Sequence, residues 1–228
     1  MNISKRLRAI GDLIEDNSFI LDVGCDHALL DIYVTTKNKN IKAIASDINK
    51  SPLENAKQNI KKYNLEDKII LKQANGLESY QKGIDTIILS GLGSTTIVDI
   101  LKQKKEILKE IKQIIISSNN DYKYLRENLK TLGFVPEKEL IIKDKNKYYQ
   151  VIKFKKGTKK YKKYELKYGT PSKDLIYIEY LNYNKNKLQD IYKQLKLKHL
   201  ITKIKLKQEI KYINRTLQKQ NTHRINQF

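Results

Sequence analysis

The segment around residue 24 has the residue types of a loop that binds a nucleotide-like ligand. Asp22-Val-Gly-Cys-Asp-His-Ala28 follows an apolar segment and precedes a helix-like one. A glycine at such a strand-to-helix turn lets backbone N–H groups approach a ligand closely. A dinucleotide-binding loop needs Gly-x-Gly-x-x-Gly, and only Gly24 is present, so the sequence argues against a nicotinamide cofactor. A purely structural turn stays open as the alternative.

Asp47 and Ile48 follow the next strand-like segment, and Asp47 comes 23 residues after Gly24. In doubly wound sheets, an acidic residue about 20 positions after the glycine accepts hydrogen bonds from the ribose hydroxyls of an adenosine ligand. Ile48 would then lie against the adenine. Asp47 could instead only cap the next helix, but its register with Gly24 favours the ribose role.

Three further strand-like segments also end in polar residues or glycine. Asn75-Gly76 follows the third, where the amide could bind the adenine edge, although Asn-Gly is also a common turn. Ser90-Gly-Leu-Gly93 follows the fourth, and Asn119-Asn120 follows the fifth. Ligands of open α/β sheets bind outside the carboxyl ends of the strands, so these segments are expected at one rim.

The elements that position these segments alternate between strands and helices. The pattern predicts strands at 19–23, 41–47, 69–71, 84–89 and 114–118, and helices at 3–14 and 122–132. Ser51 is expected to cap the helix after the second strand. The pattern also predicts a hairpin around Lys145-Asn146, formed by strands at 134–142 and 148–154. The alternation predicts a doubly wound, mostly parallel α/β sheet with a terminal antiparallel hairpin, the Rossmann-like fold typical of class I methyltransferases.

Positive charge is concentrated in the last third of the chain. Residues 1–150 hold 25 Lys and Arg against 20 Asp and Glu, whereas residues 151–228 hold 21 against 5, so the net charges are +5 and +16. A lysine-rich genome would raise both parts alike, and the asymmetry therefore predicts that the tail binds RNA.

Apolar residues recur at helical spacing in this basic tail: Leu188, Tyr192, Leu195, Leu206, Ile210, Ile213 and Leu217. The spacing predicts two or three helices, with a hairpin packed as a short coiled coil. We expect two domains, 1–156 for catalysis and 157–228 as a basic helical RNA-binding domain.

The composition argues against several classes of protein. No apolar run approaches the roughly 18 residues that span a bilayer, so we expect neither a membrane-spanning nor a secreted protein, but a cytoplasmic monomer. The single cysteine, Cys25, excludes an intramolecular disulfide. One cysteine and three histidines cannot form a Cys2His2 zinc site, and no metal is expected.

Several motifs together resemble the bacterial tRNA (adenine-N1)-methyltransferases that act at adenine 22, in the D-arm region of tRNA. They are Ile3-Ser-Lys-Arg-Leu7, Asp22–Ala28, Gly91-Leu-Gly93, Asn119 and Lys147-Tyr-Tyr149. The resemblance covers essentially the whole chain and implies S-adenosyl-L-methionine as cofactor and tRNA as substrate. The expected cofactor-binding residues are Asp22, Gly24, Asp26, Asp47, Ile48, Asn75, Gly76 and Gly91.

The chain departs from this family's usual pattern at a few positions. The family loop usually reads Gly-Ser-Asp-His-Ala-Tyr-Leu-Pro, whereas Cys25, Leu29 and Asp31 here replace the serine, tyrosine and proline. Ser94 stands where members commonly have glycine. Asn75 stands where aspartate is usual, and it keeps a carbonyl oxygen that can accept from the adenine amino group.

Methylation of adenine N1 does not need a strong base, because N1 carries an in-plane lone pair. It needs the base to be exposed and the positive charge that develops on the ring to be stabilised. The product ring is cationic, so a nearby carboxylate would help, and Asp26 is the candidate. His27 and Asn119 are candidate orienting partners, although His27 could equally be structural. The alternatives are a methyltransferase acting on another RNA base, such as one in rRNA, and a non-catalytic RNA-binding protein with a degenerate methyltransferase fold.

Overall fold

The structure, a computed structural model, describes residue 1 and residues 3–225, and only the backbone at residue 197 and residues 221–225. The chain divides into two units, Met1–Lys160 and Tyr161–Phe228. We refer to them as the N-terminal unit and the C-terminal unit.

Seven strands form one mixed sheet in the N-terminal unit. They are β1 Phe19–Val23, β2 Lys42–Asp47, β3 Ile69–Gln73, β4 Thr86–Ser90, β5 Gln113–Ser117, β6 Phe134–Asp144 and β7 Lys147–Lys156. Their order across the sheet is β3-β2-β1-β4-β5-β7-β6. Strands β1 to β5 run parallel, and β7 is antiparallel to both β5 and β6. This confirms the predicted doubly wound sheet with a terminal hairpin.

Five helices cover the sheet: α1 Lys5–Gly11, α2 Leu29–Lys37, α3 Lys50–Lys62, α4 Ser94–Gln103 and α5 Tyr122–Thr131. Several boundaries differ by a few residues from the sequence predictions, among them those of the first and third helices. Helix α1 ends at Gly11, three residues before the predicted end. Helix α3 has Asn49, not Ser51, as its N-cap, which places Pro52 in the first turn, where a missing backbone N–H breaks no helical hydrogen bond.

Alternate residues of the strands pack against helices on opposite faces of the sheet. Ile87 of β4 belongs to the cluster that contains the apolar residues of α4 and α5. Ile88 points the other way, into the cluster formed with α1, α2 and α3. Both side chains are fully buried. Burial on both faces explains why the parallel strands read as nearly continuous apolar runs in the sequence.

A buried arginine connects α5 to the terminal hairpin. Only 1% of Arg126 is exposed, and its Nε and Nη2 groups donate to Glu139 Oε1 at 2.8 and 2.6 Å. The Nη2 group also donates to Gln150 Oε1 at 2.7 Å. A charge buried this deeply is tolerated because it is paired and hydrogen-bonded.

The C-terminal unit contains α6 Glu165–Tyr168, α7 Leu175–Gln194 and α8 Leu200–Ile225, with a 3-10 turn at Leu197–His199 before α8. Helices α7 and α8 pack along each other. Glu209 of α8 accepts hydrogen bonds from Lys167 Nζ, at 2.5 Å, and from the Tyr168 hydroxyl. The structure confirms the predicted helices, and their packing as a coiled coil stays a prediction.

The buried arginine gives a stability prediction. Arg126→Leu should lower the free energy of unfolding by roughly 2–4 kcal/mol, because Glu139 would keep a largely buried charge without its partner. Urea denaturation followed by circular dichroism measures the loss. Adding Glu139→Leu to Arg126→Leu should restore part of it.

The matched control is Lys123→Ala, which removes an exposed ion pair with Glu127 from the same helix. It should leave the denaturation midpoint unchanged. Equal effects of Arg126→Leu and Lys123→Ala would contradict a stabilising role for the buried network.

Candidate active site

A cleft of about 580 Å³ opens at the carboxyl ends of β1 to β4. The strand order reverses between β1 and β4, which is the place where open α/β sheets bind their ligands. The volume is within the range of small-molecule sites. The cleft is lined by His27 and by all the residues that the sequence proposes for the cofactor: Asp22, Gly24, Asp26, Asp47, Ile48, Asn75, Gly76 and Gly91.

The loop between β1 and α2 is held in an unusual backbone shape. Gly24, Asp26 and Ala28 have φ angles of 77°, 53° and 54°, in the left-handed region. For residues other than glycine this conformation costs on the order of 1–2 kcal/mol each, so surrounding contacts must impose it. The backbone N–H groups of Gly24 and Cys25 both donate to the Ser46 carbonyl, at 2.8 and 3.0 Å. These bonds fasten the loop to β2.

The Asp47 side chain contacts the turn before α3 and also lines the cleft. Its Oδ1 atom accepts from the backbone N–H of Asn49, the N-cap residue of α3, at 2.9 Å. The same half-buried side chain lines the cleft beside Ile48, which is 60% exposed. An exposed isoleucine on a cleft wall provides an apolar surface against which a flat ring can lie.

Asn75 and Gly76 form the turn after β3. The backbone N–H of Asn75 donates to Glu78 Oε2 at 3.2 Å, which fixes the turn. Gly76 has a φ of 56°, and a Cβ atom placed on it would lie 3.2 Å from Ile100 Cγ2. Ile100 of α4 lines the same cleft. A side chain at position 76 would therefore strain the backbone and press against Ile100, and glycine avoids both effects.

Asn119 lies beside the cleft and is not among the described residues that line it. Its Nδ2 group donates to the Gly91 carbonyl at 2.5 Å, and its backbone N–H donates to the Leu92 carbonyl at 2.9 Å. Gly91 and Leu92 themselves line the cleft. In this structure Asn119 therefore fixes the loop after β4, and it affects the cleft by holding that loop in place.

Asp26 and His27 project from the β1–α2 loop toward solvent. The Asp26 side chain is 72% exposed and the His27 side chain is 43% exposed, with Asp26 Oδ1 and His27 Nε2 3.5 Å apart. The Asn59 side chain donates to the His27 carbonyl at 3.1 Å. His27 Nδ1 is buried and has no hydrogen-bond partner among the described residues.

Three neighbouring groups at the base of the loop are buried. Burial raises the pKa of Asp22 to about 7, a hydrogen bond from Asp31 lowers it, and the charge of Asp47 raises it. Burial also raises the pKa of Asp31 well above its ordinary value, and the charge of Asp22 adds to that shift. Burial raises the pKa of the Cys25 thiol, so this cysteine stays protonated and cannot act as a thiolate nucleophile.

Two helices contribute cleft-lining residues that the sequence alone does not assign to the site. Arg6 and Leu7 of α1 line the cleft, and so do Thr96 and Ile100 of α4. The Arg6 guanidinium carbon lies 5.1 Å from the centre of the Tyr149 ring on β7. The Ser-Lys-Arg-Leu motif contains Arg6, but nothing local in the sequence indicates that α1 reaches the cleft, since tertiary packing brings it there.

The described residues contain no group of three or more His, Cys, Asp and Glu side chains placed to hold a metal ion. None of the described helices is both long enough and apolar enough to cross a membrane.

Comparison with known proteins gives consistent matches. A family model described as a methyltransferase domain matches residues 3–152. The tRNA (adenine(22)-N(1))-methyltransferase of Bacillus subtilis is 31% identical over 153 residues, which are 67% of this chain. That match spans 64% of the Bacillus protein, slightly less than two thirds of its length.

Solved structures of similar proteins cover nearly the whole chain. TrmK of M. capricolum, solved with S-adenosyl-homocysteine, is 32% identical with a TM-score of 0.81, over 93% of this chain and 98% of that one. Streptococcus pneumoniae Sp1610, solved with S-adenosyl-L-methionine, is 25% identical with a TM-score of 0.84, over 95% and 100%. The chain therefore belongs to the methyltransferase-domain family and, within it, to the family of tRNA (adenine(22)-N1)-methyltransferases.

Proposed function

We propose that this protein transfers the methyl group of S-adenosyl-L-methionine to N1 of adenine 22, in the D-arm region of tRNA. The observation that carries the proposal is the cleft at the ends of β1 to β4, where three acidic side chains and an exposed isoleucine surround a glycine turn. Acidic walls suit a ligand that carries a sulfonium and an ammonium group, and the apolar surface suits its adenine.

Each part of the cofactor has a matching part of the cleft. The Asp47 carboxylate would accept from the ribose hydroxyls, as acidic residues at the end of a second strand do in doubly wound sheets. Ile48 would lie against the adenine, and the Asn75 amide would bind its edge. Asp22 and the turn at Gly24 would hold the methionine end. These five residues follow the rim from β3 through β2 to β1.

The bound cofactor supplies an electrophilic methyl group. The protein must bring adenine N1 into line with it, so the target base has to leave its pairing and stacking partners. Asp26 would accept a hydrogen bond from the N6 amino group and offset the positive charge on the methylated ring. Its side chain is 72% exposed before substrate binds, and the incoming base would displace the water that weakens its charge.

The C-terminal unit would hold the tRNA backbone. A groove of about 780 Å³ between α7 and α8 is lined by Tyr192 and by the basic residues Lys193, Lys207, Lys211 and Arg215. The Lys207 ammonium lies 5.5 Å from the centre of the Tyr192 ring. Clustered cations beside an aromatic ring fit phosphates and an unstacked base. We also propose that the protein acts as a cytoplasmic monomer.

Methyl transfer to an unmodified tRNA transcript tests the proposal, with nucleoside analysis of the product. We expect 1-methyladenosine in the wild-type transcript and none in a transcript whose adenine 22 is replaced by guanine. Methylation only of ribosomal RNA, or of another tRNA base, would contradict the substrate assignment. Absence of S-adenosylmethionine binding would instead indicate an RNA-binding protein that has lost catalysis.

The first site prediction concerns the ribose contact. Asp47→Ala should weaken S-adenosylmethionine binding roughly 10- to 100-fold, because two hydroxyls lose a charged acceptor. Binding of tRNA should remain largely intact. Calorimetric titration measures the cofactor affinity. Asp67→Ala is the control, because Asp67 is exposed and precedes the amino end of β3, whereas the cleft lies at the carboxyl ends of the strands. An unchanged affinity in Asp47→Ala would remove Asp47 from the site.

The second prediction concerns the charge of Asp26. Asp26→Asn keeps the size of the side chain and an acceptor oxygen but removes the negative charge. Turnover should fall by roughly 10²-fold, while cofactor and tRNA affinities change little. Single-turnover rates at saturating cofactor and tRNA decide the role. Near-normal rates under these conditions would contradict the catalytic role. If Asp26→Asn also binds the cofactor poorly, and saturating cofactor restores the rate, Asp26 shapes the loop instead.

The third prediction concerns the groove of the C-terminal unit. The triple substitution Lys193→Gln, Lys207→Gln and Lys211→Gln should weaken tRNA binding and leave cofactor affinity unchanged. Each lost phosphate contact should also reduce the slope of log affinity against log salt by about 0.7–0.9. Filter binding at several salt concentrations measures both quantities.

The matched control removes the same charge elsewhere in that unit, with Lys173→Gln, Lys187→Gln and Lys198→Gln. These lysines are exposed and do not line the groove. Their removal should affect tRNA binding less. Equal losses in the two triple variants would mean that the unit attracts RNA by its overall charge and not through this groove.

A further inference from the structure

Asp31 is a buried acid that the proposed reaction does not use. It lies in the first turn of α2 and is fully buried. Neither of its carboxyl oxygens has a hydrogen-bond partner among N–H and O–H groups of the described residues. A buried polar group without a partner is rare and calls for an explanation, and an ionised carboxylate there would be strongly disfavoured.

The neighbour of Asp31 provides the explanation. Asp22 of β1 is 4% exposed, lines the cleft, and has its carboxyl group within hydrogen-bonding reach of Asp31. Two carboxylates cannot hydrogen bond to each other, so one must carry a proton. Asp31 is the more deeply buried, and the charge of Asp22 raises its pKa further, which makes Asp31 the proton donor and Asp22 the acceptor.

The charge that acts on Asp22 from outside the pair is acidic. Asp47 at the end of β2 raises the pKa of Asp22 by its charge, and the buried Cys25 thiol stays protonated. Asp26, His27 and Arg6 also line the cleft. The negative charge of Asp47 therefore opposes the ionisation of Asp22.

We propose that Asp31 is a positioning residue that stays protonated at neutral pH and donates a hydrogen bond to Asp22, so that Asp22 meets the cofactor's ammonium group as a carboxylate. The inference rests on the proposed function, since it needs the methionine end of the cofactor beside Asp22. The arriving cation favours ionised Asp22, and the proton of its carboxyl group passes to the solvent. Cofactor binding is thereby linked to the release of one proton.

The direction of the pH dependence follows from this linkage. Below the pKa of about 7, Asp22 is protonated in the empty cleft and must lose its proton when the cofactor binds. Affinity should then rise with pH, by at most about tenfold per unit, and level off above pH 7.

Calorimetry on the wild-type protein tests the linkage without any substitution. S-adenosylhomocysteine, which has the same ammonium group, is titrated at pH 6.0 and pH 7.5 in buffers of different ionisation enthalpy. We expect release of about one proton at pH 6.0 and of a clearly smaller fraction at pH 7.5. Binding without proton release at either pH would overturn this inference and leave the proposed function standing. Failure to bind at any pH would overturn both.

Two variants of Asp31 separate positioning from packing. Asp31→Asn keeps a neutral donor to Asp22 and should retain wild-type affinity and pH profile. Asp31→Leu removes the donor, so the pKa of Asp22 rises, and affinity at pH 7 should fall roughly tenfold with the profile shifted to higher pH. Thr35→Val, which disturbs a buried residue of the same helix, should lower stability without moving the profile.

The contrast between the variants decides the role of Asp31. Loss of affinity in Asp31→Asn as large as in Asp31→Leu would mean that the group acts as a charge. An unshifted profile in Asp31→Leu would mean that Asp31 only fills space. Either result would overturn the proposal, and the wild-type calorimetry remains decisive if Asp31→Leu does not fold.

Discussion

Two hydrogen bonds to one carbonyl group determine the geometry of the cleft. The amides of Gly24 and Cys25 both donate to Ser46, so the loop after β1 is fastened to β2 one residue before Asp47. The loop then passes through two left-handed residues other than glycine and enters α2. Because contacts within the protein fix this shape, the cofactor need not organise it, and less binding energy is lost to ordering the site. The position of Asp26 depends on it.

The same geometry gathers acidic groups in a place where water is partly excluded. Asp22 and Asp31 shift each other's pKa, the charge of Asp47 raises the pKa of Asp22, and the cost of holding negative charge there falls when a cation enters. A sulfonium cofactor with an ammonium group is such a cation. Recognition of the cofactor by charge and the unusual ionisation of the loop therefore have one physical origin. The groove of the C-terminal unit is lined by residues of the opposite charge, as the proposed binding of tRNA phosphates requires.

The sequence predicts features that depend on local chemistry. Strand β1, the turn at Gly24 and the position of Asp47 follow from apolar runs, glycine and spacing, and the structure places them as expected. The sequence does not indicate that Arg6 lines the cleft, because only the packing of α1 brings it there. The pairing of Asp31 with Asp22 joins a helix to a strand, and spacing along the chain does not reveal it. The sequence predicts Ser51 as the N-cap of α3, but Asn49 is the N-cap in the structure. The backbone N–H of Asn49 donates to Asp47.

A crystal structure of the protein with S-adenosylhomocysteine would test the central claim most directly, namely that the strand ends of the N-terminal unit hold the cofactor in the way their geometry suggests. The account predicts both ribose hydroxyls within hydrogen-bonding distance of the Asp47 carboxylate, the adenine against Ile48, and the ammonium group beside Asp22. A ligand bound outside this cleft, or one whose ribose lies away from Asp47, would contradict it.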